Sequence, residues 1–241
     1  MLIRSCRHTA ADLELWVALE RADKEHAKRI DKKIAKAKER LLAFSRQGGF
    51  YVNISWGKDS VVLAHLCWVL REEIGMPWWF HRSLRPSFVV EEIDQVAAAF
   101  FSRFSYPLYM KLEMWSDDSS MLRAACQQLA DTDRYATGVR ADESGPRKIS
   151  GRYHGAMTYR ACRPLIDWSA QDVFAYLARY DLPVHPWYAM LGGGRWDRDR
   201  IRVERLGGDE GTEFGRREWE QEYYGDVLRR IEAGCYLHSS G

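Results

Sequence analysis

Phe50-Tyr51-Val52-Asn53-Ile54-Ser55-Trp56-Gly57-Lys58-Asp59-Ser60, running on into Val61-Val62-Leu63-Ala64-His65-Leu66, decides the fold. Phe50 to Ser55 is aromatic and β-branched and reads as a strand; Gly-Lys-Asp-Ser reads as a turn, and Val61 to Glu73 as a helix-compatible run. A strand that turns sharply into a helix points backbone N–H groups and the positive end of the helix dipole into one small volume, which suits a phosphate or pyrophosphate. Gly57 would let the backbone approach an anion closely, Lys58 would supply a point charge, and the Ser55 and Ser60 hydroxyls could donate to phosphate oxygens. The spacing is neither a Walker A loop nor a G-x-G-x-x-G dinucleotide turn.

Working outward, the strand and helix signals alternate. Pro77 to His81 reads as a strand, Val89 to Phe104 as a helix, and Pro107 to Met114 as a strand with Leu108, Met110 and Leu112 alternating. Ser119 to Ala130 reads as a helix and Tyr135 to Thr137 as a short strand. This order predicts an α/β fold: a Rossmann-like parallel sheet with helices on both faces and ligands at the strands' carboxyl ends. Residues 1–49 read as an N-terminal helical extension, 50–190 as the nucleotide-binding α/β domain, and 191–241 as a C-terminal loop and helix extension packed on it. Gly138 to Arg163 is rich in glycine, serine and arginine, with a glycine-flanked turn at Gly138 to Lys148; Ser169 to Tyr180 reads as a helix, the chain from Leu191 as surface loops or a lid, and Arg216 to Glu232 as a helix.

Composition bounds the function. The chain of 241 residues is 46% hydrophobic and 29% charged, enough to bury a core. Its 36 Lys and Arg against 34 Asp and Glu leave a net charge of +2, which argues against a wholesale nucleic-acid wrapper or a polybasic membrane binder. Eight basic residues lie between Lys24 and Arg40. They could meet phosphates or a partner, but the interspersed acids favour a solvated helix face with i,i+4 pairs; Arg195 to Arg205 is a second such mixed stretch. Cys6, Cys67, Cys126, Cys162 and Cys235 are scattered with no C-x-x-C pair, so no iron–sulfur cluster is expected, and a reducing cytoplasm is. No apolar run reaches membrane-spanning length, and no membrane association is expected.

Two further stretches carry chemistry. Gly138-Val139-Arg140-Ala141-Asp142-Glu143-Ser144-Gly145-Pro146-Arg147-Lys148 places cations and a hydroxyl after the fourth strand, as a polyanion would need. Arg163-Pro164-Leu165-Ile166-Asp167-Trp168-Ser169-Ala170-Gln171-Asp172-Val173 precedes Leu182-Pro183-Val184-His185-Pro186-Trp187-Tyr188. There Ser169 or Asp167 can cap a helix with Asp172 in its first turn, and Arg163 is the phosphate-contact candidate.

Ser55 to Ser60 resembles the Ser-Gly-Gly-Lys-Asp-Ser signature of the PP-loop ATP pyrophosphatases, the adenine nucleotide α-hydrolases, with Trp56 in place of the first glycine. That substitution makes the loop entry bulkier and its backbone less free to take positive φ. The second and third stretches are similar to motifs of the phosphoadenosine phosphosulfate (PAPS) reductase branch, and the likeness is nearest to the ATP pyrophosphatase component of DNA phosphorothioate modification. It spans about Phe50 to Tyr188 and implies that the Rossmann-like sheet is of the HUP type. The resemblance implies cleavage of ATP to AMP and pyrophosphate, adenylating an acceptor for sulfur transfer. Lys58, Asp59, Arg140 and Arg147 would act at the reacting phosphates, and Ser55, Trp56, Gly57, Ser60, Gly138, Ser144 and Arg163 would bind ATP. Mg2+ would bridge the phosphates and Asp59. Partners would include a cysteine desulfurase, with DNA reached through partner proteins. Two rivals stay open: a thiol-dependent PAPS reductase using Cys235, whose tail shares Cys-x-Leu-His with that family, and a nucleotide-binding subunit with negligible turnover. The second strand lacks the Asp-Thr-Gly end of many reductases and offers Arg82 and Arg85 instead.

Overall fold

In the computed structural model residues 1–84, 90–114, 119–203, 206 and 215–233 are described. Strands β1 (Tyr51–Ile54), β2 (Trp79–Leu84), β3 (Tyr109–Met114), β4 (Tyr135–Ala136) and β5 (Ala161–Cys162) form one sheet in the order β3-β2-β1-β4-β5. Every pairing is parallel, with Val52 opposite Trp79 on one side of β1 and opposite Ala136 on the other. The chain moves outward in one direction from β1 to β3, then returns and continues on the far side through β4. The β1/β4 junction is therefore the topological switch point, where the connections leave in opposite directions and a crevice opens beyond the strand ends.

The period-two geometry of the strands sorts the side chains into two layers. Val52, Ile54 and Trp79 point into the main core; Tyr51 and Phe80 point the other way, against Cys126 and Leu122 of helix α5 (Ser119–Ala130). On the main-core face lie α3 (Lys58–Val69), α4 (Val90–Phe101) and α7 (Ala170–Arg179), with α1 (Ala10–His26) and α2 (Asp31–Ser45) beyond. Helix α3 is apolar all round, and Val61 to Cys67 are all buried; such a helix stays folded only if both sides are covered, here by the sheet and by α7. Helix α1 packs on α7, with Trp16 edge-on to Phe174.

Three sequence expectations need correction. The glycine-flanked turn read at Gly138 to Lys148 runs into helix α6 (Gly145–His154), begun by Ser144 as N-cap and Pro146 in its first turn, and the Gly-, Ser- and Arg-rich run to Arg163 ends in β5. The low apolar content hides α6, because its inward face rests on Gly151 and its apolar residues Ile149 and Tyr153 are exposed.

The chain after Leu191 is not merely a surface lid. Leu191, Trp196 and Ile201 are buried, and Arg198 grips Asp23 through two bonds of 2.6 and 2.8 Å, both side chains under 10% exposed. The basic stretch of α2 is not simply solvated either. Lys36 and Arg40 bind Asp167, and Lys33 binds Asp172, so the row fastens α2 to the entry of α7. Helix α8 (Arg216–Glu232) closes the described chain, with Trp219 against Trp187.

Candidate functional site

At the switch point Ser55 leaves β1 and Trp56 makes the corner. Its φ of 58° is the left-handed conformation, which costs a non-glycine residue ~1–2 kcal/mol. The sequence argument that the indole would discourage this backbone is therefore corrected. The indole is fully buried between Phe100, Phe101 and Tyr109 and donates to the Tyr109 hydroxyl at 3.3 Å, so packing offsets the strain. Gly57 has an ordinary φ of −71° and caps α3 without a side chain.

Consequently the first turn of α3 has bare backbone donors. The Lys58 N–H reaches only the Tyr188 hydroxyl, at 3.3 Å, and the Ser60 hydroxyl, which donates to the Gly57 carbonyl at 3.1 Å, receives the Ser55 N–H at 3.2 Å. The Lys58 side chain is 4% exposed; its ammonium stands 4.8 Å from the Tyr188 ring centre and 3.7 Å from the Asp59 carboxylate. Burial opposes the charge, but Tyr188 and Asp59 more than offset it and the pKa lies above the ordinary lysine value. Lys58 is therefore a cation at neutral pH, held by an aromatic face and one carboxylate.

Across the crevice, Gly138 follows β4. A Cβ there would stand 2.9 Å from the Asp59 carbonyl oxygen and 3.2 Å from the Ser60 nitrogen, so only glycine lets this strand end lie against the first turn of α3. Arg140, 1% exposed, bonds Asp59 through Nε and lies 3.6 Å from Asp142. Burial lowers its pKa and Asp59 raises it, with a net rise. The Glu143 carboxylate receives the Arg140 N–H at 2.9 Å and pairs with Arg147 at 2.5 Å. Asp59, expected as a magnesium ligand, is thus turned onto two cations, and among the described residues no three His, Cys, Asp or Glu converge to hold a metal. Such a carboxylate does not fit a protein-held dication.

These elements enclose a cavity of about 420 Å³ at the carboxyl end of the sheet. Of the residues nominated from sequence, Ser55, Gly57, Lys58, Asp59, Ser60, Gly138 and Arg147 line it. Trp56 lies beneath it in the core. Arg140 stands behind it on Asp59, and Ser144 caps α6 by accepting the Arg147 N–H at 3.3 Å. Arg163, half-buried beside β5, is not among the lining residues. Arg82 lines the cavity as anticipated; Arg85 and Cys235 lie outside the described residues.

Sequence reasoning assigned no role to Tyr188, Arg123 or Arg202, which also line the cavity. Tyr188 stood in a quoted motif. Arg123 and Arg202 carried no local signal, since α5 and the chain after Leu191 reach the crevice only through tertiary packing. The arrangement presents Lys58, Arg82, Arg123, Arg147 and Arg202 around a bare helix N-terminus. Such a site suits a bound polyphosphate and charge growing on a departing one.

Among families of known proteins, the one described as "Phosphoadenosine phosphosulfate reductase domain" matches residues 49–208. A phosphoadenosine 5'-phosphosulfate reductase of Synechococcus sp. is 23% identical over 63% of this chain and 75% of its own length. A protein of the same name from Xanthomonas axonopodis pv. citri is 28% identical over 48% of this chain and 43% of its own. Among solved structures, an FMN adenylyltransferase of Candida glabrata superposes with a TM-score of 0.52 and 16% identity, covering 73% of this chain and 67% of its own, a likeness of fold.

Proposed function

The chain belongs to the phosphoadenosine phosphosulfate reductase domain family, and from that premise we propose that it cleaves ATP between the α and β phosphates to activate an acceptor for sulfur transfer. An acceptor oxyanion forms a bond to the α phosphorus, the α–β bridge breaks, and pyrophosphate leaves with the electron pair; the acceptor keeps AMP until sulfur displaces it. Lys58 and Arg147 would take up the charge growing on pyrophosphate, with Arg140 fixing Asp59 so that Lys58 stays in place. We further propose a cysteine desulfurase as sulfur source and DNA as the final acceptor.

The observation that carries the reading is the uncapped N-terminus of α3, with buried Lys58 beside it, opening into the cavity at the switch point. A second reading, reduction of PAPS by a thiol, is favoured by the names of the curated relatives. There, sulfur is reduced by two electrons from thiols, releasing sulfite and adenosine 3',5'-bisphosphate and leaving a disulfide. Among the described cysteines, Cys126 lines the cavity, and burial pushes its thiol up to about 11, which makes it a poor thiolate donor.

Pyrophosphate and AMP released from ATP, reduced by about 10²–10³ in Lys58→Met and unchanged in Cys235→Ser, supports the first reading. Sulfite formed from PAPS and thioredoxin in a Cys235-dependent manner overturns it. Tight ATP binding with no product would leave a nucleotide-binding subunit.

A further inference from the structure

The sequence offers three basic stretches, and the structure separates them. In α1 and α2, Lys24 pairs with Glu20, Lys28 with Glu25, Lys33 with Asp172, and Lys36 and Arg40 with Asp167. After Leu191, Arg195 pairs with Glu222, Arg198 is buried on Asp23, Arg200 lies by Asp197, and Arg202 donates to the Glu143 carbonyl. In both stretches most of the cations named pair with carboxylates of their own chain.

The third stretch does so only in part: Arg147 pairs with Glu143 and Arg160 with Asp133, whereas among the described residues Lys148 and Arg152 do not. Between Gly145 and Arg163 there are five Lys and Arg and no Asp or Glu. Gly151 marks the inward face of α6: a Cβ there would sit 3.3 Å from both Ala141 and Ile166. At about 100° per residue, Ile149 and Tyr153 lie on the opposite face, with Arg152 on its flank and Lys148 between that flank and Gly151. All four are exposed, Ile149 by 57% and Tyr153 by 83%, and no carboxylate partner meets Lys148 or Arg152 among the described residues. Tyr159, 72% exposed, follows in the turn into β5. The start of the same helix is the cavity rim, through Arg147.

Unmatched cations interleaved with outward tyrosines are the surface a single-stranded nucleic acid requires, with phosphates on the cations and bases stacked on the rings. A lipid surface would call for a longer apolar face than one isoleucine and two tyrosines, and an acidic peptide would leave the rings without stacking partners. We propose that the outward face of α6, with Tyr159, docks a single strand of nucleic acid whose path ends at the cavity mouth. The proposal goes beyond the ATP reading and does not need it to hold.

Fluorescence anisotropy with labelled oligo(dT) and oligo(rU) of about 20 nucleotides, titrated across salt concentrations without ATP, tests it. We expect one or both strands to bind, the preference identifying the sugar. Lys148→Glu with Arg152→Glu should weaken binding at least tenfold and lower the salt slope by about 1.4, at ~0.7 per phosphate on a single strand. Tyr153→Ala with Tyr159→Ala should weaken it about fivefold or more at an unchanged slope. Circular dichroism should match the parent protein, since every altered side chain is exposed, and pyrophosphate release from ATP should be unaltered in both variants. No binding of either strand at about 50 mM salt overturns the proposal, as does binding indifferent to both double variants. Capture of phosphatidylserine vesicles or polyglutamate through these residues, with strands ignored, also overturns it. Absence of ATP cleavage in the parent protein with strand binding intact would refute only the ATP reading.

Discussion

Helices α3 and α7 each begin shortly after a parallel strand, and each N-terminus carries the same partial positive charge, yet the chain treats them oppositely. At α7, the Ser169 hydroxyl accepts the Asp172 N–H at 3.2 Å, and the Asp172 carboxylate receives the Ser169 N–H at 2.7 Å. His26 at 2.9 Å and Lys33 then close the carboxylate from outside. At α3 the cap is a glycine, the nearest protein acceptor is one tyrosine hydroxyl, and the space beyond is cavity. A helix dipole does not by itself choose a ligand; the N-terminus that the chain leaves uncapped beside a crevice is the one available to an external anion.

That contrast can be broken most directly by exchanging its consequences. Lys58→Met should lower pyrophosphate release by about 10²–10³ while leaving the melting temperature nearly unchanged, because Arg140 still neutralises Asp59 and the methionine fills the aromatic slot. Asp172→Ala should do the reverse. It loses the cap and strands Lys33 and His26, costing about 3 kcal/mol in denaturant unfolding, with turnover of the folded protein retained. Equal effects of the two variants on both readouts would erase the distinction.

The corner before α3 gives a smaller effect. Trp56→Gly relieves the left-handed backbone but empties a fully buried site. Loss of the indole, ~3–5 kcal/mol, against relief of ~1–2, leaves a net destabilisation of about 1–4 kcal/mol. A gain in stability would mean that packing does not hold this corner. Gly138→Ala forces backbone apart at the crevice and should cost about 1–2 kcal/mol, read as weaker nucleotide binding by calorimetry.

The smallest effect is acid sensitivity at α7. Burial favours the neutral acid, but Lys33, His26 and Ser169 outweigh it and hold the Asp172 carboxyl at about 2. A carboxyl depressed in the folded state contributes stability above its unfolded pKa, near ~4, and loses it as pH falls from there through about 2. Asp172→Ala should therefore flatten the acid limb of the stability profile over that window.

The candidate site divides along the same line. Ser55 to Ser60 was legible because the residues that form the turn are consecutive and their chemistry is local. Gly138 and Arg147 were legible from a second local run. Arg163, chosen by the same logic, stands apart from the cavity, because proximity along the chain to a capped turn says nothing about which way a side chain faces. Tyr188, Arg123 and Arg202 come from three distant segments, and no spacing rule joins them. The start of helix α6 reads as a turn because its helical signal is weak where one face meets a glycine and the other meets solvent.

By itself the sequence determined the parallel α/β order, the strand-to-helix corner at Gly57 and Lys58, and the presence of three basic stretches. These depend on residue periodicity and on groups a few bonds apart. Only the tertiary structure decided that most cations of two of those stretches are neutralised by Asp167, Asp172, Asp23 and their neighbours, that Lys148 and Arg152 of the third stay exposed, and that the α3 N-terminus is the open one. Each of those outcomes turns on which carboxylates arrive from elsewhere in the chain. Charge is a property of the residue, whereas its availability is a property of what is packed against it.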